Sequence, residues 1–312
     1  MIFTEDLTKV FDQFIAVDGV NLDVGAGRVL VLLGPNGAGK TTTVRMLTSI
    51  LKPSRGRATV AGFDVVKEPQ KVRESVGVLT EHHGLYNRMN AEEYLDFYAR
   101  LYDMDASVRK TRIDFLLQEF GLIAEKKRKL GEFSKGMRQK LALVRALMNE
   151  PPVLLLDEPT SAMDPESART VRDGIHQLRS SSRSIILCTH NLLEAEELAD
   201  QIAIIRKGRI ILTGTPSELK ERLLGPPEYE VRLANQLDGK KPELPGGVKI
   251  TTQGDLWLRF RIESPQKNNP ILIKNLISAK LNIISFQEVQ RSLESAYLEA
   301  MRTISNGEQN AR

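Results

Sequence analysis

At 312 residues, with 41% hydrophobic and 27% charged residues, the chain has globular composition, which excludes a mostly disordered, fibrous or membrane-embedded protein; its length suggests one large domain plus a smaller one. Lys plus Arg exceed Asp plus Glu by 44 − 40 = 4, too little to choose between a phosphate ligand and an anionic membrane face. The single cysteine, Cys188, excludes an internal disulfide framework and fits a reducing compartment. No run approaches the roughly 18 apolar residues of a membrane-spanning helix, and the start, Met1-Ile2-Phe3-Thr4-Glu5-Asp6, does not read as a signal peptide. Any membrane role is expected to need a partner.

The first of three apolar runs, Val29-Leu30-Val31-Leu32-Leu33, reads as a buried strand. It leads directly into Gly34-Pro35-Asn36-Gly37-Ala38-Gly39-Lys40-Thr41, the pattern of a phosphate-binding loop, after which residues 42–50 space Val44, Leu47 and Ile50 as a helix does. Glycines let the backbone wrap so that successive N–H groups point inward, and the helix N-terminus adds partial positive charge. Lys40 is placed to reach the β- and γ-phosphates of ATP, Thr41 to ligate Mg²⁺ and Thr42 to donate a further hydrogen bond. The alternative, a chance glycine-rich turn, fits the strand-to-helix context poorly.

Residues from about 84 to 147 are rich in helix formers and read as an inserted helical subdomain. Before it, His82-His83 lacks the Cys or carboxylate spacing of a metal site. The second apolar run, Val153-Leu154-Leu155-Leu156, ends in Asp157-Glu158. Asp157 fits a Mg²⁺ carboxylate and Glu158 the base that orients and deprotonates the attacking water; a solvated acidic turn is the alternative. The third run, Ser184-Ile185-Ile186-Leu187, continues through Cys188 to Thr189-His190, which places an imidazole where it can sense a γ-phosphate. Such runs alternating with helices predict an α/β fold with a parallel sheet and its ligands at the strands' carboxyl ends.

After Gly225-Pro226-Pro227 the pattern turns to period-two alternation. Tyr229, Val231 and Leu233, then Leu256, Leu258, Phe260 and Ile262, fall on single faces. A helix around 271–281, a strand at Ile283-Ile284-Ser285-Phe286 and a last helix bearing Leu293, Ala296, Tyr297 and Ala300 complete a small α+β domain, 225–312, with no catalytic cluster.

Together these motifs resemble the nucleotide-binding subunit of an ABC transporter across roughly residues 2–220, with Phe133-Ser134-Lys135-Gly136-Met137-Arg138-Gln139-Lys140 looking like a variant of the family's signature motif. The resemblance implies a P-loop NTPase of ABC type, 1–224, whose Ser134 and Gly136 cap the γ-phosphate of ATP bound to a second nucleotide-binding subunit in a head-to-tail dimer, with a homodimer expected. It also implies that Phe11 stacks on adenine, although a core position suits it equally, and that Ser161-Ala162-Met163-Asp164 lets the two sites communicate. Glu81 stands where the family usually places a Mg²⁺-contacting glutamine, and Lys135 and Met137 stand where Gly and Gln are common. These departures, and the C-terminal domain, resemble the drug-, antibiotic- and ion-export branch.

The expected partners are transmembrane permease subunits at the cytoplasmic face of the membrane, docking near Gly84-Leu85-Tyr86-Asn87-Arg88-Met89, a loop whose residues also suit ordinary subdomain packing. No nucleic-acid partner is expected, since no basic stripe with interleaved aromatics is present. The competing readings are a soluble ABC-type ATPase acting on ribosomes or DNA, and a nucleotide-binding scaffold without turnover.

Overall fold

The computed structural model describes residues 1–80, 84–161, 163–179, 182–237, 242–298 and 300. Its chain divides into two compact units, Met1–Thr215 and Pro216–Arg312. The division falls before the helix Pro216–Leu224, upstream of the sequence-based boundary at 224.

In the first unit, all five residues of Val29–Leu33 and of Val153–Asp157, and all six of Ser184–Thr189, are buried. Strands with no polar face belong in the middle of a sheet covered on both sides. They join Gln201–Arg206, Val76–Leu79 and Arg209–Gly214 in a six-stranded sheet. Val29–Leu33 pairs in parallel with Ser184–Thr189 and Gln201–Arg206, while Val153–Asp157 pairs in parallel with Ser184–Thr189 and Val76–Leu79. Arg209–Gly214 closes one edge antiparallel. The register is tight: Leu33 lies opposite Thr189, and Cys188 opposite Asp157. Phosphate loop, acidic pair and histidine therefore leave the sheet at a single edge.

A second, antiparallel sheet of Phe14–Val24, Ile2–Phe11, Arg55–Val60 and Phe63–Asp64 precedes and flanks the phosphate loop in sequence. The apolar-run reading does not find it. Register shifts after Thr4, Leu7 and Lys9 break the period-two pattern, and Asp6, at φ 47°, marks the irregularity.

The helix after the phosphate loop is Lys40–Leu47. It stops short of the expected residue 50, and Ile50 is exposed in the turn beyond. Within 84–147 lie the helices Ala91–Leu101, Ala106–Glu119 and Lys135–Ala146. The first starts with a capping box in which Asn90 Oδ1 accepts from Glu93 N–H and Glu93 Oε2 accepts from Asn90 N–H, both at 2.9 Å.

The second unit is a four-stranded antiparallel sheet in the order Val248–Gly254, Trp257–Ile262, Glu228–Leu233, Ile283–Glu288, with the helix Pro265–Ser278. Val231, Leu233, Leu258, Phe260 and Ile262 form its core with Leu272 and Leu276 of the helix. Leu256 does not join them: it sits exposed in the turn between two strands.

Candidate active site

A cavity of about 490 Å³ opens at the strand edge, lined by Phe14, Ala16, residues 36–42, Asp157, Glu158, Ser161 and His190. Its floor is the phosphate loop, in which Gly34 and Gly39 are fixed by crowding while Gly37, at φ 78°, faces open space. A Cβ on Gly34 would lie 2.3 Å from Ile205 O, and one on Gly39, at φ 107°, would lie 2.6 Å from Ala16 O. The loop is thus wedged between two strands, its backbone facing the cavity.

Lys40 is buried, its Nζ donating to Gly34 O at 2.7 Å and Pro35 O at 3.2 Å. These two residues act through their carbonyls and do not line the cavity. The same ammonium stands 3.4 Å from Glu158 Oε1. Thr41 Oγ1 donates to Asp157 Oδ2 at 2.7 Å, joining helix start to strand end.

Glu158 adopts φ 51°, left-handed and strained for a residue with a Cβ, the more so before a proline. Its N–H donates to Cys188 O at 2.8 Å, and its carboxylate meets His190 Nδ1 at 2.9 Å. The turn thereby aims the carboxylate into the cavity, between a buried cation and a half-exposed imidazole. Behind it, burial pushes the Cys188 thiol well above its ordinary pKa, as suits an inert strand residue.

Ser134 and Gly136 lie away from this cavity. Ser134 is the N-cap of Lys135–Ala146, its Oγ accepting from Met137 N–H at 3.2 Å, while Gly136 is buried beside Ser167 and Met163. Phe11 is likewise absent from the lining and instead carries Lys9 Nζ 5.1 Å from its ring centre. Phe14, 64% exposed, lines the cavity. The reason is topological: Phe14 and Ala16 belong to the strand whose carbonyl at Ala16 touches the loop, with Phe11 one strand further off. Glu81, His82, His83 and Ala162 lie outside the described residues.

Gln139 and Glu194 are among the buried polar residues that the sequence does not single out. Gln139 Nε2 donates to Pro159 O at 2.8 Å and Glu158 O at 3.3 Å. Glu194, its carboxyl pKa raised by burial, accepts from Thr160 Oγ1 at 3.0 Å. Gln139 was recognisable as a polar residue on the apolar stripe of its helix, in step with Gly136, Leu143 and Ala146.

Residues 17–161 match the family model described as ABC transporter, and residues 214–301 match the C-terminal domain of ATP-binding proteins of the DrrA1-3 type. The ABC transporter ATP-binding protein NatA of Bacillus subtilis is 42% identical over 66% of this chain and 84% of its own length. The daunorubicin/doxorubicin resistance ATP-binding protein DrrA of Streptomyces peucetius is 36% identical over 95% of this chain and 90% of its own. A solved ATP-binding subunit of an ABC transporter superposes with a TM-score of 0.67 at 28% identity, across 72% of this chain and 94% of that one.

Fold and strand-edge cavity define a P-loop ATP hydrolase, with a helical insertion in the first unit and a small second unit. The chain belongs to the ATP-binding subunits of ABC transporters, the component that binds and hydrolyses ATP to power a membrane transporter. Among the described residues no helix is long and apolar enough to cross a membrane.

Proposed function

We propose that two copies of this chain, bound to permease subunits at the cytoplasmic face of a membrane, drive export of a drug-like or antibiotic cargo. DrrA, named for daunorubicin and doxorubicin resistance, is similar along nearly the whole chain, second unit included. This supports the exporter and not the soluble alternative.

The observation that carries the mechanism is the convergence of Lys40, Asp157, Glu158 and His190 on one cavity. In our reading, backbone N–H groups of residues 36–42 cradle the phosphates, Lys40 leaves its loop carbonyls for the β- and γ-phosphates, and Phe14 offers a face to the adenine. Glu158, released from Lys40, orients and deprotonates water, while His190 keeps its carboxylate in place and senses the γ-phosphate.

The hydroxyl of Thr41 and carboxylate of Asp157 are the hard oxygen donors that Mg²⁺ takes, and Mg²⁺ keeps few protein ligands when phosphates supply the rest. These two residues would hold it, Glu81 being a further candidate on sequence alone. Bound there, it would neutralise charge on the transferring phosphoryl group.

The position of the signature residues away from the cavity supports dimerisation. Ser134 is exposed and accepts Met137 N–H, so its own proton is available to donate. With the helix N-terminus behind it, this is a site for an anion carried by a second copy. For the permease, Tyr86, Phe97, Leu101 and Tyr102 offer an exposed apolar patch on the helical part, with the Tyr86 and Phe97 ring centres 6.1 Å apart. Beneath the patch, buried Tyr94 has its ring centre 6.3 Å from that of Tyr86, and Arg145 joins it to the sheet by donating to Tyr94 Oη at 3.0 Å and Val78 O at 3.3 Å.

Glu158→Gln should lower hydrolysis about 10² to 10⁴-fold while retaining ATP and trapping a dimer. Captured with ATP from native membranes, the trapped protein should bring down a polytopic membrane protein, identified by mass spectrometry. Recovery with ribosomal or DNA-associated proteins and no permease would overturn the transporter assignment.

A further inference from the structure

We infer that Gln139, on the signature helix, is a positioning residue for Glu158 of its own chain, holding the strained turn that aims the catalytic carboxylate. The inference rests on reading Glu158 as the base.

A left-handed conformation at a glutamate preceding a proline persists only where its surroundings hold it. Three attachments surround this one. Glu158 N–H is bound to Cys188 O of the neighbouring strand at 2.8 Å. Beyond the turn, Thr160 Oγ1 is anchored on the buried Glu194 at 3.0 Å. Between them Pro159 has no N–H to offer, so this part of the turn depends on its carbonyls. Gln139 supplies their donor: one Nε2 spans both carbonyls, at 3.3 Å to Glu158 O and 2.8 Å to Pro159 O. Glu158 O has a second donor in Ser161 N–H at 3.2 Å. The residue is 5% exposed, so water cannot readily replace the amide.

The geometry also joins two events. Ser134 caps the helix on which Gln139 sits little more than one turn later. A force on the helix N-terminus, such as the capture of a partner's γ-phosphate, is transmitted by a rigid element to the backbone of the base. Hydrolysis in one chain then responds to what its own signature helix holds.

The test compares Gln139→Leu and Gln139→Glu with wild type in ATPase assays from about pH 6 to pH 8. The leucine removes the donor, and kcat should fall at least tenfold, with KM for ATP changing less than twofold because the phosphate loop is untouched. In Gln139→Glu an ionised carboxylate would face two carbonyl oxygens, whereas its protonated form can donate one O–H. Activity of Gln139→Glu relative to Gln139→Leu should therefore rise several-fold as pH falls. A packing role leaves that ratio flat across pH and moves KM together with kcat; either result overturns the inference. In a Glu158→Gln background, Gln139→Leu should cause no further loss of residual hydrolysis. If Glu158→Gln alone remains active, the base reading fails. If that variant is inactive while Gln139→Leu keeps full kcat, the inference about Gln139 fails alone.

Discussion

The central sheet of the first unit and the sheet of the second differ in where they put their polar groups. Five parallel strands deliver their carboxyl ends to one edge, where the loops after Leu33, Asp157 and Thr189 meet. The antiparallel strands of the second unit send their ends to alternate edges, and among the described residues no such meeting occurs. Their charges lie on a face instead: Glu228, Glu230 and Arg232 alternate along one strand opposite Arg261, Arg259 and Trp257 of the next. Arg261 bonds Glu228 and Arg259 bonds Glu230, each at 2.9 Å. One architecture concentrates unlike groups around a cavity; the other disperses like geometry along a ladder that serves stability.

That contrast can be broken most forcefully at Gly34. Gly34→Ala places a methyl 2.3 Å from a backbone oxygen of the adjacent strand, and overpacking of that kind costs about 1 to 3 kcal/mol. ATP affinity should fall at least tenfold by fluorescent-nucleotide titration. Unchanged affinity would mean that the edge does not depend on the wedge between strands.

A smaller effect is expected at Tyr86→Asp, which puts charge into the exposed aromatic patch. Cargo transport in vesicles should drop several-fold while ATPase activity of the detergent-purified subunit changes less than twofold; equal losses would assign Tyr86 to packing alone.

The smallest is in the ladder. Hydrogen bonds from Arg232 and then Arg259 hold the Glu230 carboxyl below its usual pKa. A carboxylate with a depressed folded pKa contributes stability above its unfolded pKa and loses it as pH falls through the folded one. Glu230→Gln should thus lower stability by about 1 kcal/mol at pH 7, a gap that closes below the ordinary Glu range. Urea denaturation at pH 7 and pH 3 reads this directly, and ATPase activity should not change.

Much of the site was legible because its signals are local. Gly34 to Thr41 is contiguous, and Asp157-Glu158 and Thr189-His190 each close an unmistakable apolar run. What stayed hidden depends on partners remote in the chain. Phe14 rather than Phe11 lines the cavity because of strand order. The N-terminal sheet is masked by its bulges. Glu194, 1% exposed, looks like an ordinary surface residue of a polar helix until folding buries it, and Gln139, 5% exposed, is marked only by its step with the apolar stripe of its helix. Burial is a tertiary property, and only a polar residue in step with an apolar stripe betrays it beforehand.

The wedge at Gly34 bears on how the protein comes into being. The phosphate loop is bounded on one flank by Ile205 and Gly208, some 170 residues downstream, and Asp18 N–H donates to Gly208 O at 2.9 Å. Sequence separation of this size makes closure slow relative to local structure. On the ribosome, the motif that announces the nucleotide site is synthesised early, yet its mould is incomplete until the strand Gln201–Arg206 has emerged. A nascent chain should therefore be blind to ATP through most of its synthesis, and acquire the nucleotide as a late checkpoint on the whole first unit.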